Sequence, residues 1–288
     1  MAERLKYFVN GEFRESKSTK TTTVYNPSTG EVLAEVPCCT AEEVNEAVAA
    51  AKAAFPAWSA TPPIKRAKLM FRLNELIEEH MEELTMSVAK EEGKVWEEAH
   101  GDVLKAQEPT QFACGIPSLL ASEGEALLDA SKGYDTVRYR EPLGVFAGIV
   151  PFNFPTMIPM GWMTPMCVAC GNTIVLKVSS NTPLSALRMV ELYKEAGFPD
   201  GVVNVVPCSR TEAELFLTHP DVKGVTFVGT TDVGRHIYST AAAHGKRVQA
   251  LCEAKNHALV LEDAPIKRTA AGIINAAYGC AGERCMAL

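Results

Sequence analysis

The spacing of apolar positions along the chain changes near residue 140. Before that point, Lys6-Tyr7-Phe8-Val9, then Asn10-Gly11, then Glu12-Phe13-Arg14 reads as a hairpin closed by an Asn-Gly turn. Asn26-Pro27-Ser28-Thr29-Gly30 marks a second turn, followed by a strand-like run from Glu31 to Val36. Thr40-Ala41-Glu42-Glu43 matches a capping box and predicts an Ala-rich helix to about Phe55. Ile64 to Lys90 keeps helical spacing through Leu69, Leu73, Leu76, Ile77, Met81 and Leu84, with charges on the other face. That pattern predicts a helix with a solvated charged surface.

From Gly144 onward, short β-rich runs alternate with helical ones. Gly144–Val150, Asn172–Lys177, Val202–Val206, Gly224–Val228 and Arg247–Leu251 read as strands, with helices near Thr182–Ala196, Thr211–Leu217 and Thr231–Ala243. Repeated strand-helix-strand units predict an α/β fold whose parallel sheet is covered on both faces. Ligands in such sheets bind beyond the carboxyl ends of the strands. Tyr134–Glu141 reads as an extra polar strand outside the alternation.

Composition narrows the class. The 288 residues are 47% hydrophobic and 22% charged, which places the chain among globular proteins and excludes wholesale disorder. A net charge of −7 without a long basic run argues against nucleic-acid or membrane-surface partners. Pro142 to Leu176 carries no charged residue, yet five prolines interrupt it, so a buried interior fits better than a lipid-exposed helix. Nine cysteines, an odd number with a lone CxxC at Cys167 and Cys170, predict reduced intracellular thiols rather than a disulfide framework. The six histidines form no metal-spaced pair, so no metal site is expected. The first residues lack the features of a signal or transit peptide.

Several residues can carry chemistry, and each has a plainer alternative. Phe227 to Arg235 runs from a strand through Gly229 into a helix start. Its free amides suit a phosphate, or Thr230 or Thr231 simply caps the helix. Lys177 ends an apolar strand as a ligand-facing cation or a solvated strand end. Asn153, between Pro151-Phe152 and Phe154-Pro155, is a satisfied turn residue or an amide aimed at a developing oxyanion. Cys285 is a small core residue or a nucleophile. The small residues around it and the adjacent Arg284 favour access and thiolate.

Taken in order, these segments resemble the aldehyde dehydrogenase superfamily. The carriers are PFNFP at 151–155, NTIVLKV at 172–178, GFPDGVVNVV at 197–206, FVGTTDVGR at 227–235 and GERC at 282–285. Within it, residues 245–264 and the Cys285-Met286-Ala287 run are similar to the CoA-acylating methylmalonate-semialdehyde dehydrogenase branch. The resemblance implies a Rossmann-like parallel sheet with the catalytic domain only begun. It divides the chain into an NAD-binding domain (1–121 and 142–251), an oligomerisation hairpin segment (122–141) and the start of the catalytic domain (252–288). It further implies Cys285 as nucleophile, and an oxyanion held by the Asn153 amide and the Cys285 backbone N–H. NAD, or NADP, would bind at Phe152, Lys177, Ser180, Gly229 and Thr230, and coenzyme A would accept the acyl group. Arg284 and Lys105 would hold the carboxylate of a small semialdehyde drawn from valine, thymine or inositol breakdown. A homodimer or homotetramer would form, mitochondrial in eukaryotes and cytoplasmic in bacteria.

Departures from the family pattern carry their own expectations. Leu251 stands where hydrolytic relatives place a general-base Glu, as suits a thiol acceptor, while Glu253 replaces a glycine and offers a displaced base. Lys105 stands where the branch has Arg, which loses bidentate geometry. Ser180 replaces a carboxylate that grips the adenosine ribose, predicting weaker discrimination against NADP. Family members are considerably longer, so a fragment or a naturally short product is expected, with little activity of its own.

Overall fold

The computed structural model describes residues 2–122 and 124–288; Met1 and Glu123 lie outside the described residues. Five short strands come first: β1 (Glu3–Arg4), β2 (Tyr7–Val9), β3 (Glu12–Arg14), β4 (Thr21–Tyr25) and β5 (Val32–Pro37). Helices α1 (Ala41–Ser59), α2 (Pro63–Glu79), α3 (Met81–Glu92), α4 (Trp96–Cys114) and α5 (Ile116–Ser122) follow, then a hairpin of β6 (Glu125–Ser131) and β7 (Tyr134–Arg138). The alternating part begins with β8 (Val145–Ile149), a π-helical segment Met157–Met163, α6 (Thr164–Ala169), β9 (Thr173–Lys177) and α7 (Leu184–Glu195). It continues with β10 (Val203–Val205), α8 (Arg210–Thr218), β11 (Val222–Gly229), α9 (Thr231–Ala243), β12 (Arg247–Cys252) and α10 (Ile266–Tyr278).

The five strands expected after Gly144 pair in parallel, in the order β12-β11-β8-β9-β10. The sheet does not stop there. The Asn-Gly hairpin adds β2 antiparallel to β10, with β3 outside it, so one edge is mixed. Tyr7, Phe8 and Val9 are all buried, which explains why this hairpin joins the main sheet. Alternation then sorts side chains between two cores. Ile174, Leu176 and Phe8 join the layer containing Trp58, Leu73 and Ile158, while Val175, Tyr7 and Val9 join Val44, Phe216 and Ile237. The uncharged tract supplies much of the first layer, with Ile158, Met160, Ile174 and Leu176 at zero exposure.

Local chemistry explains the helices, including those that depart from expectation. The capping box at α1 is formed: Glu43 N–H donates to Thr40 Oγ1 at 3.4 Å, and Thr40 N–H to Glu43 Oε2 at 2.8 Å. The helix runs past Phe55 and through Pro56 to Ser59. Trp58, buried and donating from Nε1 to the Val168 carbonyl at 3.0 Å, anchors this last turn. Ile64–Lys90 is not continuous. His80 (φ −105°, ψ 14°) ends α2 and begins α3, while Ile77 and Leu84 keep facing one core, so apolar spacing alone does not register the break. Nor is its charged face wholly solvated. Arg66 is buried and donates from Nε to the Ala169 carbonyl at 2.7 Å. One glycine has a steric reason: a Cβ on Gly161 would lie 2.6 Å from Ala106 Cα, so the π-helical segment sits directly on the α4 backbone. The polar strand expected at Tyr134–Glu141 is β7, paired only with β6 among the described residues and exposed along its whole length.

Candidate active site

The parallel strands end in a row: Ile149, Lys177, Val205, Gly229 and Cys252. Strands β9 and β10 lie on one side of β8, and β11 and β12 on the other. The strand order therefore reverses at β8, the position where open α/β sheets leave a crevice. A cavity of about 210 Å³ opens there, lined by Ile149, Lys177, Arg210, Glu214, Val233 and His236. Burial depresses the Lys177 pKa, with Cys208 and Cys38 opposing the shift, so this cation is no solvated strand end. Arg210, which the sequence reading did not single out, brings a second cation. It follows Ser209, whose Oγ accepts from Thr211 N–H at 3.1 Å and caps α8. A capping serine just beyond a strand was the available signal.

Thr230 occupies the N-cap position of α9 without a side-chain capping bond, which leaves first-turn amides uncommitted to it. Gly229 has an additional reason to be glycine: a Cβ there would lie 2.5 Å from the Phe227 ring. Ser180 is half-buried three residues beyond Lys177 and does not line this cavity.

The loop after β8 is fastened from beneath. Lys94 Nζ donates to the Asn153 carbonyl at 2.6 Å and to Asp102 Oδ2 at 3.0 Å, and stands 3.9 Å from the centre of the Phe154 ring. Asp102 Oδ1 accepts from Thr156 Oγ1 and from Met157 N–H. Both ends of this ion pair are buried, so each depends on the other for compensation. Glu92 joins them at 3.7 Å from Lys94. Its carboxyl is pushed up to about 9, chiefly by burial; Lys94 opposes that shift, while Glu283 adds to it. Phe152 is exposed, and its carbonyl accepts from Thr182 Oγ1 at 2.9 Å.

Asn153 reaches the other half of the site. Its Nδ2 donates to the Glu283 carbonyl at 2.5 Å, so the amide binds the segment that carries Cys285 rather than standing free. An amide nitrogen has two N–H groups, and this bond uses one. Cys285 is half-buried, and its carbonyl accepts from Asn256 Nδ2 at 3.1 Å. It lines a second cavity of about 760 Å³ together with Lys105, Arg284, Glu98, Phe154 and Trp162. The structure thus brings Cys285, Arg284 and Lys105 to one space. Neither cation stands alone: Arg284 pairs with Glu98 at 3.0 Å and Lys105 with Glu108 at 2.8 Å. Glu253, weighed as a displaced base, is exposed and bonded to Lys255 at 3.2 Å. That hydrogen bond, with help from Thr231, holds its carboxyl below the usual range, opposite to what a base poised near neutrality needs.

The chain belongs to the aldehyde dehydrogenase family, whose sequence profile matches residues 13–288. It is 51% identical over 285 residues to malonate-semialdehyde dehydrogenase 1 of Geobacillus thermodenitrificans, covering 99% of this chain and 58% of that protein. The crystal structure of methylmalonate-semialdehyde dehydrogenase from Oceanimonas doudoroffii superposes with a TM-score of 0.95 at 43% identity, over 99% of this chain and 58% of that one. An NAD+ complex of aldehyde dehydrogenase from Bacillus cereus matches at 36% identity and a TM-score of 0.93, again over 99% and 58%. The chain therefore spans 58% of the length of these relatives. No described helix is long and apolar enough to cross a membrane.

Proposed function

We propose that this chain carries the cofactor-binding half and the nucleophile of a malonate- or methylmalonate-semialdehyde dehydrogenase of the acylating kind. The observation that carries the reading is the meeting of Cys285, Arg284 and Lys105 in one cavity, beside a loop whose Asn153 is bonded to Glu283. The names of the relatives support the substrate class.

In this reading the Cys285 thiolate attacks the aldehyde carbon, forming the C–S bond of a thiohemiacetal. The free N–H of the Asn153 amide and the Cys285 backbone N–H donate to the resulting oxyanion. Lys94 fixes the Asn153 backbone, so the donor needs little rearrangement. Arg284 and Lys105 hold the substrate carboxylate, orienting the carbonyl toward the thiol. Gly229 and Thr230 would hold the phosphates of NAD or NADP and Lys177 its adenosine, and the bound group would supply the hydride acceptor for oxidation to the thioester. The charges present fit such a ligand, because Lys177 and Arg210 line the switch-point cavity and α9 begins beside it. The coenzyme A thiol would then attack the thioester carbonyl and take the acyl group, with the Cys285 thiolate as leaving group. Leu251 at the position of the hydrolytic base, and the ion-paired state of Glu253, favour this acceptor over water.

In this proposal residues 1–121 and 142–251 bind the cofactor, 122–141 serve oligomerisation and 252–288 begin the catalytic domain. The bacterial relatives support a cytoplasmic setting rather than a mitochondrial one. Incubating the full-length protein with malonate semialdehyde and NAD, then locating the acyl adduct by mass spectrometry, tests the assignment. A thioester on Cys285 that coenzyme A discharges is expected, and Asn153→Ala should slow its formation about a hundredfold or more. An adduct on another cysteine, or free acid formed equally without coenzyme A, would overturn it. Titration with NAD and NADP tests Ser180: discrimination against NADP should be weaker than in relatives with a carboxylate at that position, and a strong NAD preference restored by nothing else in the site would contradict the Ser180 reading.

A further inference from the structure

The cavity contains a carboxylate to which the mechanism above gives no task. Glu98 lies in the first turn of α4 with its side chain 19% exposed. Its Oε2 accepts from the Cys280 backbone N–H at 2.8 Å, and its Oε1 from Arg284 Nη2 at 3.0 Å. Arg284 Nε turns back to Cys280 Sγ at 3.2 Å, closing a ring of contacts around the turn. Within that turn Cys280 (φ 50°), Ala281 (φ 55°) and Gly282 (φ 75°) are successive left-handed residues, two of them not glycine. Such backbone persists where its surroundings over-determine it. Glu98 grips both ends, and it also opposes the charge of the guanidinium that borders Cys285.

We propose that Glu98 sets how strongly the site prefers a carboxylate-bearing substrate, by pairing with Arg284 and sharing its charge. The inference rests on Arg284 as the carboxylate-binding position. An incoming carboxylate must share Arg284 with Glu98 or take its place, whereas a neutral aldehyde meets no such competition. Glu98 touches no reacting atom in this scheme. It is a positioning and specificity-determining residue that works through Arg284.

Alkylation of Cys285 by paired probes tests this without turnover. Iodoacetate is anionic and iodoacetamide neutral; with either, the Cys285 sulfur forms a bond to carbon and iodide leaves. The readout is the ratio of the two rates, located at Cys285 by fragment-ion mass spectrometry. Glu98→Gln keeps an amide oxygen for the Cys280 N–H but removes the charge, so the iodoacetate-to-iodoacetamide ratio should rise about threefold, as suits a partly exposed ion pair. Arg284→Gln should lower the ratio. In the Arg284→Gln background, Glu98→Gln should have no further effect, because the route through Arg284 is gone. An unchanged ratio in Glu98→Gln, or the same rise with and without Arg284, would overturn the inference. If Arg284→Gln alone leaves the ratio unmoved, the carboxylate-binding reading fails and the inference with it. If Arg284→Gln lowers the ratio but Glu98→Gln does not raise it, only the role of Glu98 fails.

Discussion

Helices α7 and α10 are nearly equal in length and both pattern as amphipathic, yet they have opposite fates. In α7, Leu187, Met189, Val190, Leu192 and Tyr193 are buried between the sheet edge and helices α2 and α3. Within the 58% of its relatives' length that this chain spans, α10 buries no residue, and Ile266, Ile274 and Tyr278 are 69%, 57% and 72% exposed. Their ends differ too. The N-terminus of α7 is held by Glu91, which accepts from Leu184 N–H at 2.7 Å and Ser185 N–H at 2.9 Å. Pro265 at the start of α10 makes no side-chain cap. The lesson is that a periodic apolar stripe states which way a helix wants to face, and tertiary neighbours decide what that facing is worth.

The largest contrast should come from matched truncations. Leu192→Ala removes a fully buried side chain and should cost about 3 kcal/mol in urea unfolding. Ile274→Ala should stay within about 0.5 kcal/mol. Equal costs would break the comparison. Next comes the cap: Glu91→Ala leaves two amide donors at the start of α7 without their acceptor and should cost about 2 kcal/mol. A loss no larger than that of an exposed Glu would remove Glu91 from the account of α7.

A pH series sharpens the point about burial. Burial pushes Glu91 up to about 7 and Glu92 up to about 9, although Ser185 and Leu184 donate to the first and Lys94 lies beside the second. Both carboxyls bind protons in the folded chain over a range where the unfolded chain has released them. Each contribution is therefore fully favourable below the ordinary carboxyl range and is lost as pH rises through the folded value. Glu92→Gln should flatten the fall of the unfolding midpoint between about pH 5 and 9. A steeper fall in that variant would contradict the sign. The smallest effect is expected at α10, where Pro265→Asp supplies a capping oxygen and should add about 0.5 kcal/mol or less, read as slower amide exchange in its first turn. No change there would mean that this helix is limited by packing alone.

The five parallel strands were legible because each is a short β-rich run bounded by turn residues, and alternation between two covered faces makes Ile174, Val175 and Leu176 all apolar. The break at His80 was hidden for a related reason: Ile77 and Leu84 face one core on both sides of it. Arg66 misled because charge on a helix reads as solvent, whereas its guanidinium donates to the Ala169 carbonyl 103 positions away and to the Thr61 carbonyl. Asn153 and Cys285 stood out through their neighbours, but the partners that matter to the site, Lys94, Asp102 and Glu98, are ordinary charged residues until folding brings them there. Pairs so distant leave no period in the chain.

The bond from Asn153 to Glu283 spans 130 residues, and that from Glu98 to Arg284 spans 186. Contacts between such remote positions close the longest loops and are made late, after local helices and neighbouring strands have formed. The seat of the Cys285 thiol is thus among the last features to be assembled. During refolding the thiol will report completion of the molecule, changing its alkylation rate only after the spectroscopic signal of the helices has settled. A chain halted earlier keeps the cysteine but not its aim.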